Sequence, residues 1–203
     1  QRNRDDRSRS NYPVRRSVLF SLCLLLHVRA FGSNLAQEAD QHGDIEVGVV
    51  LDTAEQTGRA SATVRIHAPR EVVWPLITNC AEALTLVPGL VGCEVLETAP
   101  DQSWQRIRQV VDYSWYVRKL TYEVILRADK PADVSIERVS GDLSTMKASW
   151  NLKSDGDYTV AHYVVDLAPG FWVPHWLVRV ALRRDLPKML RALRTRAESA
   201  AHR

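Results

Sequence analysis

Apolar residues alternate with polar or small ones in two early runs, first Ile45, Val47 and Val49, then Ala60, Ala62, Val64 and Ile66. A period of two around a Gly-containing break predicts a β-hairpin with one buried face. The period then changes. Across residues 67–79, Val72, Val73, Leu76 and Ile77 recur at helical spacing, with Pro69 and Glu71 suited to the first turn. Pro75 lies inside that helix and removes a bond to the Glu71 carbonyl, so a kinked or shortened helix is expected. Residues 81–87 predict a second short helix, stopped by Pro88-Gly89.

Residues 90–167 read as about six strands, broken at Pro100-Asp101, Lys130-Pro131, Gly141-Asp142 and Asp155-Gly156. Leu120, Tyr122, Val124 and Leu126 share one strand face, as do Met146, Ala148, Trp150 and Leu152. A final helix runs to about Ala200. Leu182, Leu186, Met189, Leu190, Leu193 and Ala197 form its apolar stripe, and Arg183, Arg184, Lys188, Arg191 and Arg194 lie opposite. Pro187 inside it predicts a kink. A sheet with one apolar face must be covered, and this helix is the only large cover. Residues 44–203 are therefore expected to form an α+β domain, a strongly twisted antiparallel sheet wrapped around a long C-terminal helix, with space between them.

The front of the chain follows another pattern. Residues 1–32 carry seven Arg against two Asp, and Val18–Val28 is an uncharged apolar run too short to span a bilayer. With small residues at Ala30 and Gly32, this predicts a secretory signal segment, export to a bacterial periplasm and cleavage near Gly32. Residues 33–43 read as a polar, disordered linker. Removal of the leader turns a chain of net charge +3 into a slightly acidic one, so its basic character is no argument for nucleic acid. Cys23 lies in the apolar run and lacks the small residue a lipoprotein site needs before it. Cys80 and Cys93 remain, and an exported protein with two cysteines suggests a disulfide, the alternative being two free buried thiols.

Catalytic motifs are sparse. His67, His162 and His175 are isolated, and there is no HExxH, GxSxG, P-loop or GxGxxG. No metal site, cofactor or catalytic residue is assigned. Alternation turns Asp112 and Glu123 towards solvent, and Arg106, Arg108 and Arg118 read as a solvated sheet face. The densest aromatic cluster is PGFWVPHWLV, residues 169–178, on the loop before the last helix. Phe171, Trp172 and Trp176 there either frame a cavity mouth or plug the core. Tyr113, Trp115, Tyr122, Trp150 and Tyr163, read as lying on strand faces, together with Leu182 and Leu186 on the helix, are the candidate wall of an apolar ligand site.

APREVVWPLITN, VPGLVGCEVLE, the Gly141-Asp142 pair with Trp150 following, and PGFWVPHWLVRVALRRDLPKML occur in an order similar to the START-like (SRPBCC) superfamily. Within it they most resemble the polyketide cyclase/dehydrase and coenzyme Q-binding group. The resemblance covers roughly residues 45–200 and implies a helix-grip fold with an elongated hydrophobic cavity. It implies binding or carriage of a lipid, a quinone or a polyketide-like molecule. A cyclase- or dehydrase-like enzyme is one alternative, which a buried polar pair in the cavity would favour. A macromolecular interaction module with a filled cavity is another. The basic last helix suggests peripheral contact with an anionic membrane.

Overall fold

The computed structural model describes residues 37–39, 45–52, 57–114 and 117–203. The segment read as a secretory signal, with Cys23, lies outside the described residues, as does most of the stretch read as a linker. Among the described residues nine antiparallel strands form one sheet: β1 (Gln37–Ala39), β2 (Ile45–Asp52), β3 (Thr57–Ile66), β4 (Leu90–Thr98), β5 (Trp104–Val111), β6 (Leu120–Asp129), β7 (Asp133–Gly141), β8 (Leu143–Asp155) and β9 (Tyr158–Pro169). Their order across the sheet is β1-β2-β3-β9-β8-β7-β6-β5-β4. The crossover between β3 and β4 holds α1 (Arg70–Thr78) and α2 (Cys80–Leu86), and α3 (His175–Ala201) closes the chain. Gln37–Ala39, within the stretch read as linker, instead pairs with β2 as an edge strand. Backbone pairing satisfies polar groups there without needing an apolar pattern.

The strand faces follow their period of two. On β6, Tyr122, Val124 and Leu126 are buried, and on β8 Ala148, Trp150 and Leu152 are. The helix stripe predicted from Leu182 to Ala197 is buried throughout. It meets the inner sheet face in one apolar core with Val73, Trp74 and Leu76 of α1. Arg196 Nε of α3 lies 2.6 Å from Glu82 Oε2, tying α3 to α2.

Two prolines stand at helix boundaries and two lie inside helices. Pro69 and Pro174 occupy the N-cap positions of α1 and α3, one residue before the first turn expected for them. Pro75 sits inside α1, which ends three residues later. Asn79 then caps α2, its Oδ1 accepting from the Ala81 N–H at 2.8 Å. α3 runs through Pro187 as one helical segment. Two glycines permit close approach. Gly141 has φ +101°, and a Cβ there would collide with the Thr121 carbonyl and the Tyr122 Cα. Gly89, at φ +78°, leaves room for the Tyr113 ring, 3.0 Å from where a Cβ would stand.

Candidate functional site

Three adjoining chambers lie between the inner sheet face and α3. The outer one, about 90 Å³, is bordered by Phe171, Val173 and Leu177. The central one, about 170 Å³, is walled by β6, β8 and β9 and roofed by Leu182, Leu186 and Met189. The inner one, about 130 Å³, reaches α1, α2 and the Cys80–Cys93 pair. Outer and central chambers share Tyr113, Leu143 and Asp185. Central and inner chambers share Tyr122, Tyr163 and Met189. The walls are overwhelmingly apolar, as a site for a hydrophobic ligand requires.

Sheet geometry brings the aromatic wall together. Trp150 on β8 is the register partner of Tyr163 on β9, and their rings are 4.3 Å apart. Tyr122 comes from β6, next to Gly141 of β7. Burial pushes the Tyr122 and Tyr163 phenols well above their ordinary pKa, and Tyr122 adds to the rise at Tyr163. Cys80 and Cys93 are joined by a disulfide, with Cα atoms 5.5 Å apart, clamping α2 to β4 at the inner end.

Tyr113 departs from the sequence reading. β5 ends at Val111, so Tyr113 lies in the following loop rather than on a strand face. From there its hydroxyl reaches Asp185 Oδ2 of α3 at 2.8 Å, with the Pro88 carbonyl at 3.2 Å. Arg184 Nε donates to Asp185 Oδ1 at 2.8 Å. Burial and the Asp185 carboxylate raise the Tyr113 pKa. Asp185 is 7% exposed and lines the outer and central chambers. Sequence reasoning passed over it. The signal for it was its place within the apolar stripe, between Leu182 and Leu186, where an acid is anomalous.

The aromatic loop splits in two. Phe171 lines the outer chamber, its ring 4.8 Å from the Arg118 guanidinium. Trp172 and Trp176 are 74% and 56% exposed, and border none of the three chambers. They neither wall the cavity nor plug the core; Val173 and Leu177 take the inward positions. Trp115 lies outside the described residues. Arg118 also departs from its expected sheet face. It sits in the loop before β6 and pairs with Asp142 Oδ1 at 2.7 Å. Asp142 in turn receives the N–H groups of Thr121 and Gly170, each at 2.8 Å, which ties the mouth loop to the β7–β8 turn. Among the described residues no cluster of three or more His, Cys, Asp or Glu is arranged to hold a metal.

The family described as polyketide cyclase/dehydrase and lipid transport matches residues 66–194. Curated protein sequences yield no match. Among solved structures, the STAR-related lipid transfer protein of Xanthomonas axonopodis is similar at TM-score 0.63 and 20% identity, covering 78% of this chain and 96% of that one. The ZhuI aromatase/cyclase of a Streptomyces species is similar at TM-score 0.60 and 19% identity, covering 70% and 94%. The human StarD13 lipid transfer and protein localization domain follows at TM-score 0.61 and 12% identity, covering 78% and 86%. At these identities the likeness establishes a shared fold.

Proposed function

Since the chain belongs to the polyketide cyclase/dehydrase and lipid transport family, we propose that it binds and carries a hydrophobic small molecule in the chambers beneath α3. The observation that carries this reading is the row of three adjoining apolar chambers that share lining residues, from Phe171 at the mouth to the disulfide at the inner end. Apolar voids inside a close-packed fold forgo dispersion contacts that an apolar guest restores. Native mass spectrometry of the protein purified from its own host, before and after organic extraction, tests it. A discrete apolar adduct lost on extraction is the expected result. A bare protein that also fails to take up any apolar compound would refute carriage.

A second reading has a specific observation behind it. The Tyr113–Asp185 pair is a half-buried proton donor hydrogen-bonded to a buried acceptor on the cavity wall. A cyclase- or dehydrase-like enzyme would use such a pair for proton transfer while the apolar wall shapes the reacting chain. Turnover of an oligoketide lost in Asp185→Asn with binding retained would establish this reading over simple carriage.

The same proposal has the protein exported, in a bacterial periplasm, and loaded at a membrane. The leader pattern and the disulfide support export, because disulfides persist in oxidising compartments. Exposed Trp172, Trp176, Arg179 and Arg183 beside the mouth support contact with anionic headgroups. Nucleic acid has no place in it. Co-sedimentation with anionic but not with zwitterionic vesicles is the expected outcome, and equal recovery with both would remove the electrostatic part of the membrane proposal.

A further inference from the structure

The inner end of the chamber row is closed by a wall that a single short helix supplies. Cys80, Ala83 and Leu86 of α2 line the inner chamber, and Cys93 of β4 lines it beside them. Ala81, Leu84 and Thr85, on the other side of α2, are exposed, so one helix thickness separates the chamber from solvent. α2 is seven residues long, and Leu86 is its one buried side chain. A helix of that length has no stability of its own and depends on what holds it in place. Both of its ends are joints. Asn79, in extended backbone, is at once the C-cap of α1 and the N-cap of α2. Val87 ends α2 in extended backbone too, and Gly89 follows at φ +78°.

An ion pair and a covalent bond tie α2 to its neighbours. Glu82 and Arg196 are 2.6 Å apart but partly exposed, and pairs of that kind contribute little. The Cys80–Cys93 disulfide is therefore the strong link. Its anchor on the sheet is itself irregular. β4 is an edge strand, and its pairing with β5 slips on both sides of Cys93, at Leu90/Gly92 and at Val95/Glu97. Cys80 and Cys93 are half-buried, and the exposed residues Asn79, Ala81 and Glu94 flank them, which places the bond near the surface and within reach of a dissolved thiol.

We propose that the Cys80–Cys93 bond is a redox-controlled latch on the inner wall: a dithiol reductant opens it, α2 swings on Asn79 and on Val87–Gly89, and the chambers empty through their inner end rather than past Phe171. The inference rests on the ligand-site reading above and adds a regulated exit to it. A thiolate of the reductant attacks one cysteine sulfur and expels the other as a thiolate, which takes up a proton. The second thiol of the reductant then displaces the first cysteine. The protein is left with two thiols and the reductant with a disulfide, so two electrons and two protons have passed and no further reactant is needed. With the bond intact, α2 cannot leave β4. With it cut, leaving exposes Leu86 and breaks a surface ion pair, an opening at the low end of the range for local unfolding.

The test uses the full chain loaded with a neutral fluorescent reporter (N-phenyl-naphthylamine), with and without dithiothreitol. Thiol titration follows the reduction, and far-UV circular dichroism follows the fold. Dissociation of the reporter is expected to quicken about ten-fold on reduction and to slow again on reoxidation. Amide exchange should rise across α2 and its two joints and stay unchanged on β6, β8 and β9. Cys80→Ser with Cys93→Ser should release the reporter at the reduced rate and ignore dithiothreitol. A reduced, folded protein that releases the reporter at the oxidised rate would overturn the inference and leave a hydrophobic carrier intact. A bond that resists dithiothreitol until the fold is lost, exchange that rises evenly over the sheet, or wholesale unfolding on reduction would overturn it too, since each makes the disulfide a staple. A chain that takes up no reporter in either state would remove both readings. The wild-type comparison decides the matter even where the double variant does not fold.

Discussion

Tyr122 and Glu123 are neighbours on β6 and live in different chemistries. Glu123 faces outward, where Arg106 and Arg108 grip its two oxygens at 2.6 and 3.0 Å. The hydrogen bonds of Arg106 and then Arg108 hold its carboxyl below the usual range. Tyr122 faces inward, onto a chamber, and burial pushes its phenol up. A strand sends consecutive side chains to opposite faces, so one residue of displacement separates a solvated ion-pair lattice from an apolar cavity. The outer face continues as Arg59 bidentate to Asp166, and the inner one as Tyr163 and Trp150. Outer polar residues are satisfied by one another, whereas the inner phenols at Tyr122 and Tyr163 border apolar chambers. Paired charge at a surface contributes little, and an unpaired hydroxyl in a cavity contributes specificity.

Breaking the inner face should cost most. Trp150→Ala removes the ring that packs on Tyr163 from a site 6% exposed, and a loss of about 3–5 kcal/mol is expected in urea unfolding. A loss below about 1 kcal/mol would show that the inner wall is already slack. Next comes the clamp at its inner end. Cys80 and Cys93 are 13 residues apart, and their removal or reduction is expected to cost about 3 kcal/mol, read as a lower urea midpoint in reductant.

The two faces should also fail at opposite ends of the pH scale. The inner phenols at Tyr113, Tyr122 and Tyr163 are held neutral in the fold, so their raised values stabilise nothing below the unfolded tyrosine value near pH 10. Above it the unfolded chain ionises first, and stability falls as pH rises. Tyr122→Phe with Tyr163→Phe should flatten that alkaline limb. On the outer side, Glu123, Asp142 and Asp166 have depressed values, and Asp112, hydrogen-bonded by Ser114 and paired with Lys119, is pushed down to about 2. Their contribution is full above the unfolded carboxylate value of about 4 and is lost as pH falls towards about 2. Glu123→Gln should soften the acid limb and leave the alkaline one alone. Unfolding midpoints across pH, for both variants, separate the faces; identical slopes would dissolve the distinction.

The smallest effect is expected at Trp172. It is 74% exposed, so Trp172→Ala should change stability by no more than about 0.5 kcal/mol while reducing recovery with anionic vesicles. Set beside Trp150→Ala, it isolates position from residue type.

Most of the inner face is legible in the order of residues alone. Tyr122, Trp150 and Tyr163 declare themselves through a period of two, and Leu182 and Leu186 through the helical stripe, because regular elements repeat in sequence what they repeat in space. Asp185 is legible too, as an acid interrupting that stripe, though only a partner explains it. The mouth is not legible. Phe171, Trp172 and Val173 are consecutive apolar residues on a loop without a period, and the direction each takes depends on Arg118, Asp142 and Gly170, which approach from other elements.

By itself, then, the sequence determined the sheet apart from its edge strand β1, the inner face and the helix laid across it, since local periodicity and the burial of apolar stripes leave little choice. Only the tertiary structure decided that β5 stops at Val111, that Tyr113 swings from the following loop to meet Asp185 across the cavity, and that two tryptophans of the mouth face water. These outcomes turn on contacts between residues far apart in the chain. Tyr113 and Asp185 are 72 positions apart, and no local pattern encodes a bond of that span.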